Sequence, residues 1–495
     1  MKITTRGQSD KLFFPRPENR VPPKNALEEQ LDQDARDLEK MGYVQELLRG
    51  MGGFSSFAVS FSVISILTGA IQLYGYGLQH GGPLQMSLGW LVVSFFTMAV
   101  ALSMAELASA YPTAGALYHW ASFLGGRELG WFTACFNTIG QFAILAGIDW
   151  GLAGFLIGLC GWEPTRTLTL SVFAALLFSH AVLNHLGIRV VSWLNDFSAW
   201  YHMAVVLLIL IVLGAKGFAQ PVSFLFKFSK ADPYSARYSF VIGLLLAQWT
   251  LTGYDASAHV SEETRDPRRT APWGIFIAVA VSVVFGFLML AAITLSIPDL
   301  AQATAFGDDA LAGILKLRLG AGMGTGLVGL ICGAMWLCGL ASMTSASRMV
   351  YAFARDGGLP GHTLWAAISP RFRTPANAIW GLFAFALLIA ASVKEYSAVL
   401  SIAVIALYVS YGLPIAARLY SRLRGREGEI GPWNLGRFSG PVTTVAVLWI
   451  VSICVVFVMP PNQQAGEMLA GVVAVLAVVW FGWSRARFAG PKYHL

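Results

Sequence analysis

The chain has 495 residues, of which 56% are hydrophobic and 12% charged, and its formal net charge is +7. A soluble globular domain holds about twice that charged fraction, which excludes a water-soluble enzyme or binding module. The cations collect in particular loops and avoid the apolar runs, a pattern of membrane topology that leaves no basic stripe for a nucleic-acid partner.

The first 50 residues contain no apolar stretch of the kind a secretory signal needs, so the N-terminus is expected to stay in the cytoplasm. Residues 26–50 are charged and helix-prone, with Leu27, Leu31, Leu38 and Tyr43 set among acids. They read either as a surface helix lying under a helical bundle or as a disordered tail. Apolar runs of about 20 residues, long enough to cross a bilayer, then recur twelve times. They cover residues 54–78, 84–106, 129–159, 167–186, 190–214, 238–260, 272–296, 321–346, 376–393, 397–417, 441–459 and 465–484. With the N-terminus inside, the cytoplasmic segments hold about 26 of the 34 Lys and Arg residues. Arg265, Arg268, Arg269, Arg348, Arg355, Arg371, Arg373 and the cluster from Arg418 to Arg437 all fall on that side. Both termini come out cytoplasmic, in a multi-pass inner-membrane protein. The chain divides into a tail (1–50), a ten-helix core (51–420), a cytoplasmic loop (421–440), two additional spans (441–484) and a short C-terminal tail (485–495).

Two spans carry interruptions. In the first, Ser60, Ser62, Ser65, Thr68 and Gly69 interleave with Phe61, Ile64, Ile66 and Leu67. In the sixth, the run from Gln248 to Ser257 places Gly253 and Asp255 at mid-membrane depth. Unwound backbone survives in lipid only where it is buried in protein or lines a cavity, and paired breaks in two halves of a chain point to a transporter's site. The breaks lie five spans apart, and an odd offset makes the two halves antiparallel. A five-plus-five inverted repeat follows if they are equivalent. Small residues at a helix-packing seam are the alternative for the first span.

Asp255 is the leading candidate, since an intramembrane carboxylate is rare and by default functional. It can hold a substrate ammonium, bind a proton, or cap the second half-helix. Trp249 and Tyr254 beside it can hold a cation by their ring faces. His202 in the fifth span can carry a proton or be satisfied by a neighbouring serine or carbonyl. In the eighth span Ser342, Thr344 and Ser345 can face His202 or a sodium ion, or simply pack. Gln141 and Asp149 in the third span can reach the cavity or pair with neighbouring helices. Tyr408 and Tyr411 in the tenth can wall a pathway or belong to the core. The five cysteines (Cys135, Cys160, Cys332, Cys338 and Cys454) show no paired spacing, so neither disulfides nor a metal site is expected, and no cofactor is called for.

Several stretches resemble the amino acid–polyamine–organocation superfamily, and within it the amino acid/choline permease branch that includes GABA permeases. They are Met41 to Arg49, Phe54 to Gly69, Ala105-Glu106-Leu107 through Tyr111-Pro112-Thr113-Ala114-Gly115, Thr252 to His259 continuing through Ser261-Glu262-Glu263-Thr264 to Pro272, and Ser347-Arg348 through Gly357. The resemblance covers most of residues 41–420. It implies an all-α fold of the leucine-transporter type, with ten core helices in two inverted halves and two extra C-terminal helices. It implies that backbone N–H groups around Ser65, Ile66, Leu67, Thr68 and Gly69 bind a substrate carboxylate, with the amine near Thr252, Gly253, Tyr254 and Asp255. It places His202 where several relatives carry a proton-sensing lysine, a departure that leaves sodium open as the coupling ion. Glu262 and Glu263 look like gate or loop-pairing residues, with Arg265, Arg268 and Arg269 near enough in sequence to pair with them.

The expected function is a secondary permease for an amino acid or related amine such as GABA, working by proton-coupled symport or exchange. Choline, ethanolamine or polyamine transport is the alternative, and a non-transporting nutrient sensor a more remote one. HExxH, GxSxG and intramembrane metal clusters are absent from the sequence, so no enzymatic activity is expected.

Overall fold

The computed structural model describes residues 24–392, 396–426 and 428–491. The tail residues 1–23 and 492–495, and the predicted end of the ninth span at residue 393, lie outside the described residues. Among the described residues the chain is all-helical, apart from one isolated bridge between Met51 and Thr264. In a hydrocarbon solvent every backbone polar group must be paired internally, and long apolar helices achieve that within each segment.

The spans run in chain order, and the first is divided into Gly53–Ile64 and Ile66–His80. The second is Trp90–Ala110, entered through a π turn at Gln85–Gly89. Arg127–Leu159, Arg166–His185 and Ile188–Lys216 follow. The sixth comes in three pieces, Ala236–Gly243, Leu245–Thr250 and Ala256–His259. Pro267–Leu295, Ala321–Arg355, Ala376–Ser392, Tyr396–Leu423, Ser439–Val456 and Gln463–Val479 complete the twelve. Ten helical stretches are individually long and apolar enough to cross a membrane. The sixth is too divided to count among them, and the ninth is a shorter apolar helix of 17 residues. The chain is thus a multi-pass membrane protein. The third and eighth spans, of 33 and 35 residues, reach about 50 Å at 1.5 Å per residue, so they project beyond a hydrocarbon layer of about 30 Å.

The first span is the centre of the bundle: in Ile66–His80 every residue except Tyr76 and Gln79 is buried. The seventh and second spans pack against each other, and the seventh also packs on the first. The tenth packs along the third, and the eighth touches the first, third and fifth. The eleventh and twelfth lie outside, against the tenth. In the fifth span Trp193, Phe197, Trp200, Leu207 and Ile211 are exposed, while His202, Val205, Val206 and Ile209 are buried. An apolar face turned outward at helical spacing is the face a lipid-immersed helix presents.

Three features depart from the expected pattern. The stretch before the first span is helical only over Lys24–Lys40. Gly42, with φ 83°, then reverses the chain, as a glycine just past a helix end does. Residues 41–47 continue as an extended strap in which Met41, Tyr43 and Leu47 are buried and Gly42, Val44 and Glu46 exposed, the two-residue alternation of an extended chain. The end of the bundle that this strap crosses is called the strap end below. Leu117–Gly125 forms a short helix between the second and third spans, and Leu300–Ala305 and Ala310–Leu319 form two between the seventh and eighth. These connectors are too short or too polar to have stood out as spans.

Candidate functional site

The first span breaks at a single residue. Ser65 takes up the left-handed conformation (φ 36°, ψ 79°), which is costly for a non-glycine residue. Its surroundings hold it there. Its Oγ accepts from the Thr68 amide at 3.4 Å and lies 2.6 Å from Thr68 Oγ1, while its carbonyl takes the Gly69 amide at 3.1 Å. His202 completes the arrangement. Its Nδ1 lies 2.8 Å from the Ser198 carbonyl, which can only accept, so Nδ1 carries the ring hydrogen. Nε2 is then an acceptor for the Ser65 hydroxyl at 2.7 Å. The N–H groups of Ile66 and Leu67 open the second half-helix, where the first-turn amides have no intrahelical partner and the dipole favours negative charge.

The sixth span breaks over Leu251–Asp255, between Leu245–Thr250 and Ala256–His259. Gly253 sits at φ 96°, a conformation an L side chain rarely adopts. Asp255 has no exposed surface. The Tyr411 hydroxyl donates to its Oδ1 at 2.6 Å, and Gln141 Nε2 lies 3.4 Å from Oδ2. The same Gln141 nitrogen reaches Ser345 Oγ at 3.3 Å. His259, one turn on, brings Nε2 to 3.2 Å from Asp255 Oδ2. Trp249 donates from Nε1 to Gln72 Oε1 at 3.0 Å, and Gln72 donates to the Gly147 carbonyl at 3.2 Å. That chain of bonds ties the first, third and sixth spans together beside the breaks.

The two breaks touch because glycine allows it. A Cβ at Gly69 would lie 2.6 Å from Thr250 Cβ and 2.7 Å from Thr250 Cα, and one at Gly253 would run into the Val63 side chain. Below the breaks, Ser60 donates to the Tyr254 carbonyl at 2.7 Å and accepts from the Ser257 amide at 2.9 Å, while the Ser257 hydroxyl donates to the Ser56 carbonyl at 2.6 Å. Half-helices thus meet end to side in the middle of the bundle. Amide donors from one and carbonyl acceptors from the other converge, which suits a ligand bearing both an anionic and a cationic group.

At the strap end the bundle is closed by buried ion pairs. Arg355 forms a two-bond pair with Glu262 (2.9 and 2.8 Å), and Arg348 one with Glu263 (2.8 and 3.0 Å). The Ala114 amide also donates to Glu262 Oε1 at 3.0 Å. Burial alone pushes the Glu262 carboxyl up, but the Arg355 guanidinium and the Ala114 amide outweigh it and hold the group below its ordinary value. Asp356 is likewise held low despite burial, by the His119 contact, the Arg355 charge and the Tyr43 hydroxyl. Tyr43 and Tyr118 donate to Asp356 Oδ2 at 2.8 and 2.9 Å, and the Arg355 guanidinium stacks 4.1 Å from the Tyr43 ring. Arg49 from the strap donates to the carbonyls of Ser261 and Thr264 at 3.2 and 2.6 Å.

The structure brings Ser65, Ile66, Leu67, Thr68, Gly69, Trp249, Thr252, Gly253, Tyr254 and Asp255 to one buried region. His202 joins it through Ser65, and Ser345 through Gln141. Ser342 lies beside Cys338, which also approaches Ser65 and Thr68, and Thr344 bonds Asn184 at 2.9 Å; the hydrogen-bond partners of His202 are Ser65 and Ser198. Asp149 pairs with His180 at 3.1 Å. Glu262 and Glu263 do not pair with Arg265, Arg268 or Arg269; Arg268 instead meets Glu429 at 2.8 Å. The glutamates point inward from a tight turn, Ser261–Glu263, and meet the end of the eighth span, while Arg265 lies just before the following helix and Arg268 and Arg269 leave on it. Sequence reading gave no role to His259, although its spacing of four from Asp255 is that of one helical turn. No group of His, Cys, Asp and Glu suited to a metal ion occurs among the described residues.

Comparison with known proteins places the chain in a family. A family model described as amino acid permease matches residues 51–482. The chain is 36% identical to amino-acid permease BAT1 of Arabidopsis thaliana, over 92% of this chain and 95% of that protein. It is 36% identical to the BAT1 homolog of Oryza sativa subsp. japonica, with the same coverage. It is 29% identical to the GABA-specific permease of Saccharomyces cerevisiae, over 88% of this chain and 79% of that one. With helix breaks that offer both ends of a dipole at one buried point, and a family match across nearly the whole bundle, the chain belongs to the amino acid permease family.

Proposed function

We propose that this protein is a secondary transporter that carries an amino acid, or a related amine such as GABA, by alternating access and coupled to protons. The observation that carries the reading is the meeting of the two broken spans, with Gly69 against Thr250 and Gly253 against Val63. The substrate carboxylate takes the amides at Ile66 and Leu67, the first-turn donors of the second half-helix. The amine takes the carbonyls of residues 251–254, beside Asp255. Spans one to five and six to ten form two inverted halves of a leucine-transporter-type core, and the last two spans stand outside it. Glu262–Arg355 and Glu263–Arg348 close the cytoplasmic side, the side on which the loop cations collect in an inner membrane. At the other end, a cavity of 1410 Å³ lined by Tyr76, His80, Lys227 and Asp232 among others is the external approach.

Uptake of labelled amino acids and GABA into proteoliposomes, with counterflow by unlabelled solute, tests the reading. Saturable counterflow supports it, and binding without flux would instead indicate a sensor. A second reading, a quaternary amine or polyamine as cargo, is favoured by the rings of Tyr254, Tyr408 and Tyr411, whose neighbouring centroids are 5.3 Å apart beside Asp255. Competition of labelled GABA by choline and putrescine separates the two.

A further inference from the structure

Two buried histidines stand at the breaks, and their hydrogen bonds differ in one proton. For His202 the count closes with a neutral ring: Nδ1–H goes to the Ser198 carbonyl, and the Ser65 hydroxyl donates to Nε2. His259 begins the same way. Its Nδ1 lies 3.0 Å from the Ala114 carbonyl, an acceptor only, so Nδ1 carries a hydrogen. A neutral ring would then turn a bare lone pair at Nε2 toward Asp255 Oδ2, 3.2 Å away. An ionised carboxylate has no hydrogen to offer. Two facing lone pairs in a site without exposed surface are a repulsion that a folded interior does not keep. The contact needs one further proton, either on the ring, as imidazolium and carboxylate, or on Asp255, as a carboxylic acid donating to a neutral ring.

The neighbours supply no substitute for it. From the tenth span Tyr411 donates to the other oxygen, Oδ1, and from the third Gln141 reaches Oδ2 only at 3.4 Å; both are neutral. Tyr254 and Tyr408 are neutral as well. On the eighth span Arg348 and Arg355 are committed to Glu263 and Glu262 by two bonds each. On the short helix after the second span, His119 faces Asp356 at 3.0 Å. The first and seventh spans meet this turn with serines, Gly274 and apolar side chains such as Val59 and Val63. Among the described residues Asp255 has one ion-pair partner, His259.

We propose that Asp255 and His259 form a proton-binding site that holds one shared proton and gives it up during transport. The proposal rests on the transport reading above and deepens it by naming where the coupling proton sits. Ala114 connects the pair to the closure, since its carbonyl receives His259 and its amide donates to Glu262. Loss of the proton sets Oδ2 against Nε2, and His259 relieves the repulsion by leaving Ala114. The loop that completes the Glu262–Arg355 contact loosens with it. Proton release and opening of the strap end are thereby linked.

The test uses the full chain in lipid nanodiscs, needs no known substrate, and has two spectroscopic arms. At neutral pH, nitrogen-15 spectra of labelled histidine are expected to show a doubly protonated ring that disappears in His259→Gln. Otherwise the infrared spectrum is expected to show a protonated carboxyl that disappears in Asp255→Asn. Either result supports the shared proton. A singly protonated His259 together with an ionised Asp255 at neutral pH overturns it, whether or not the protein transports. In proteoliposomes, the dependence of GABA or amino acid uptake on an imposed pH gradient is expected to fall at least tenfold in His259→Gln. Wild-type counterflow without the shared proton would leave the transport reading standing and remove this proposal. A shared proton without counterflow would do the reverse.

Discussion

Replacing Gly253 with alanine isolates what the second break costs and what it touches. Two separate penalties are expected. The residue sits at φ 96°, and forcing an L side chain into left-handed backbone costs about 1–2 kcal/mol. The new Cβ also overlaps the Val63 side chain, lying 3.3 Å even from Val63 Cβ, and overpacking of a filled core costs about 1–3 kcal/mol. The sum is about 2–5 kcal/mol of destabilisation. Val63→Ala in the same chain removes the overlap and leaves the backbone term. A double-mutant cycle, read from unfolding of purified protein in mixed detergent, is therefore expected to show favourable coupling of about 1–3 kcal/mol between the sites, within the range found for residues in contact. Transport of labelled substrate should fall in Gly253→Ala and recover only in part in the double variant, because the φ of residue 253 still resists. Wild-type stability and transport in Gly253→Ala alone would refute the reasoning, since neither penalty could then exist.

Other perturbations address the closure and the first break. Arg348→Met leaves Glu263 buried and unpaired, at an expected cost of about 3–5 kcal/mol, whereas Glu263→Leu with Arg348→Met should regain most of it; a double variant no more stable to heat than either single one contradicts that account. Glu262 is held below its ordinary value of 4.5, so its contribution is complete above that value and is lost as pH falls through the lowered one. The stability gap between the wild type and Glu262→Gln should close on acidification below 4.5, and a gap constant with pH counts against the pairing. His202→Ala deprives Ser65 of its acceptor. It is expected to weaken substrate binding several-fold while leaving the pH profile of uptake in place, and a flattened profile would return the proton role to His202.

Much of this architecture is written in local pattern. Twelve apolar runs are visible because each helix must satisfy its backbone alone, and the two breaks are visible because glycine, serine and aspartate are misfits in hydrocarbon. What local pattern does not contain is who meets whom. Arg348 and Arg355 find glutamates 85 and 93 positions away, while the arginines nearest in sequence turn outward on the next helix. His202 finds Ser65 across 137 positions. His259 escaped notice for a subtler reason. Its spacing from Asp255 matters only if the helix resumes at Ala256, and nothing in the residues fixes where an unwound segment ends. Neither a surface helix nor a disordered tail describes the strap beyond Lys40, because Gly42, whose positive φ ends the helix, counts for more than the charge and leucine content around it.

The contrast between the strap end and the centre bears on how such a bundle moves. Around the breaks, contacts are tight and mostly neutral, with Gly69 against Thr250 and Gly253 against the Val63 side chain. At the strap end the closure is ionic: two arginines, two glutamates and Asp356, with Glu262, Glu263 and Arg348 wholly buried. A buried ion pair gains little net stability, because desolvation consumes most of its Coulomb energy. In a static core that makes it a poor choice. In a closure that must open it has an advantage, because water entering the open state returns the hydration both charges had lost. Apolar side chains meeting there would keep their full burial energy, about 25 cal/mol for each Å², as a barrier to opening. In the transport cycle proposed above, an ionic closure would leave the closed and open states close in energy, so that a single proton or one bound solute would suffice to move the balance between them. A requirement follows for the Glu263→Leu, Arg348→Met double variant. The protein that regains stability should lose turnover, because it has exchanged a reversible seal for a permanent one.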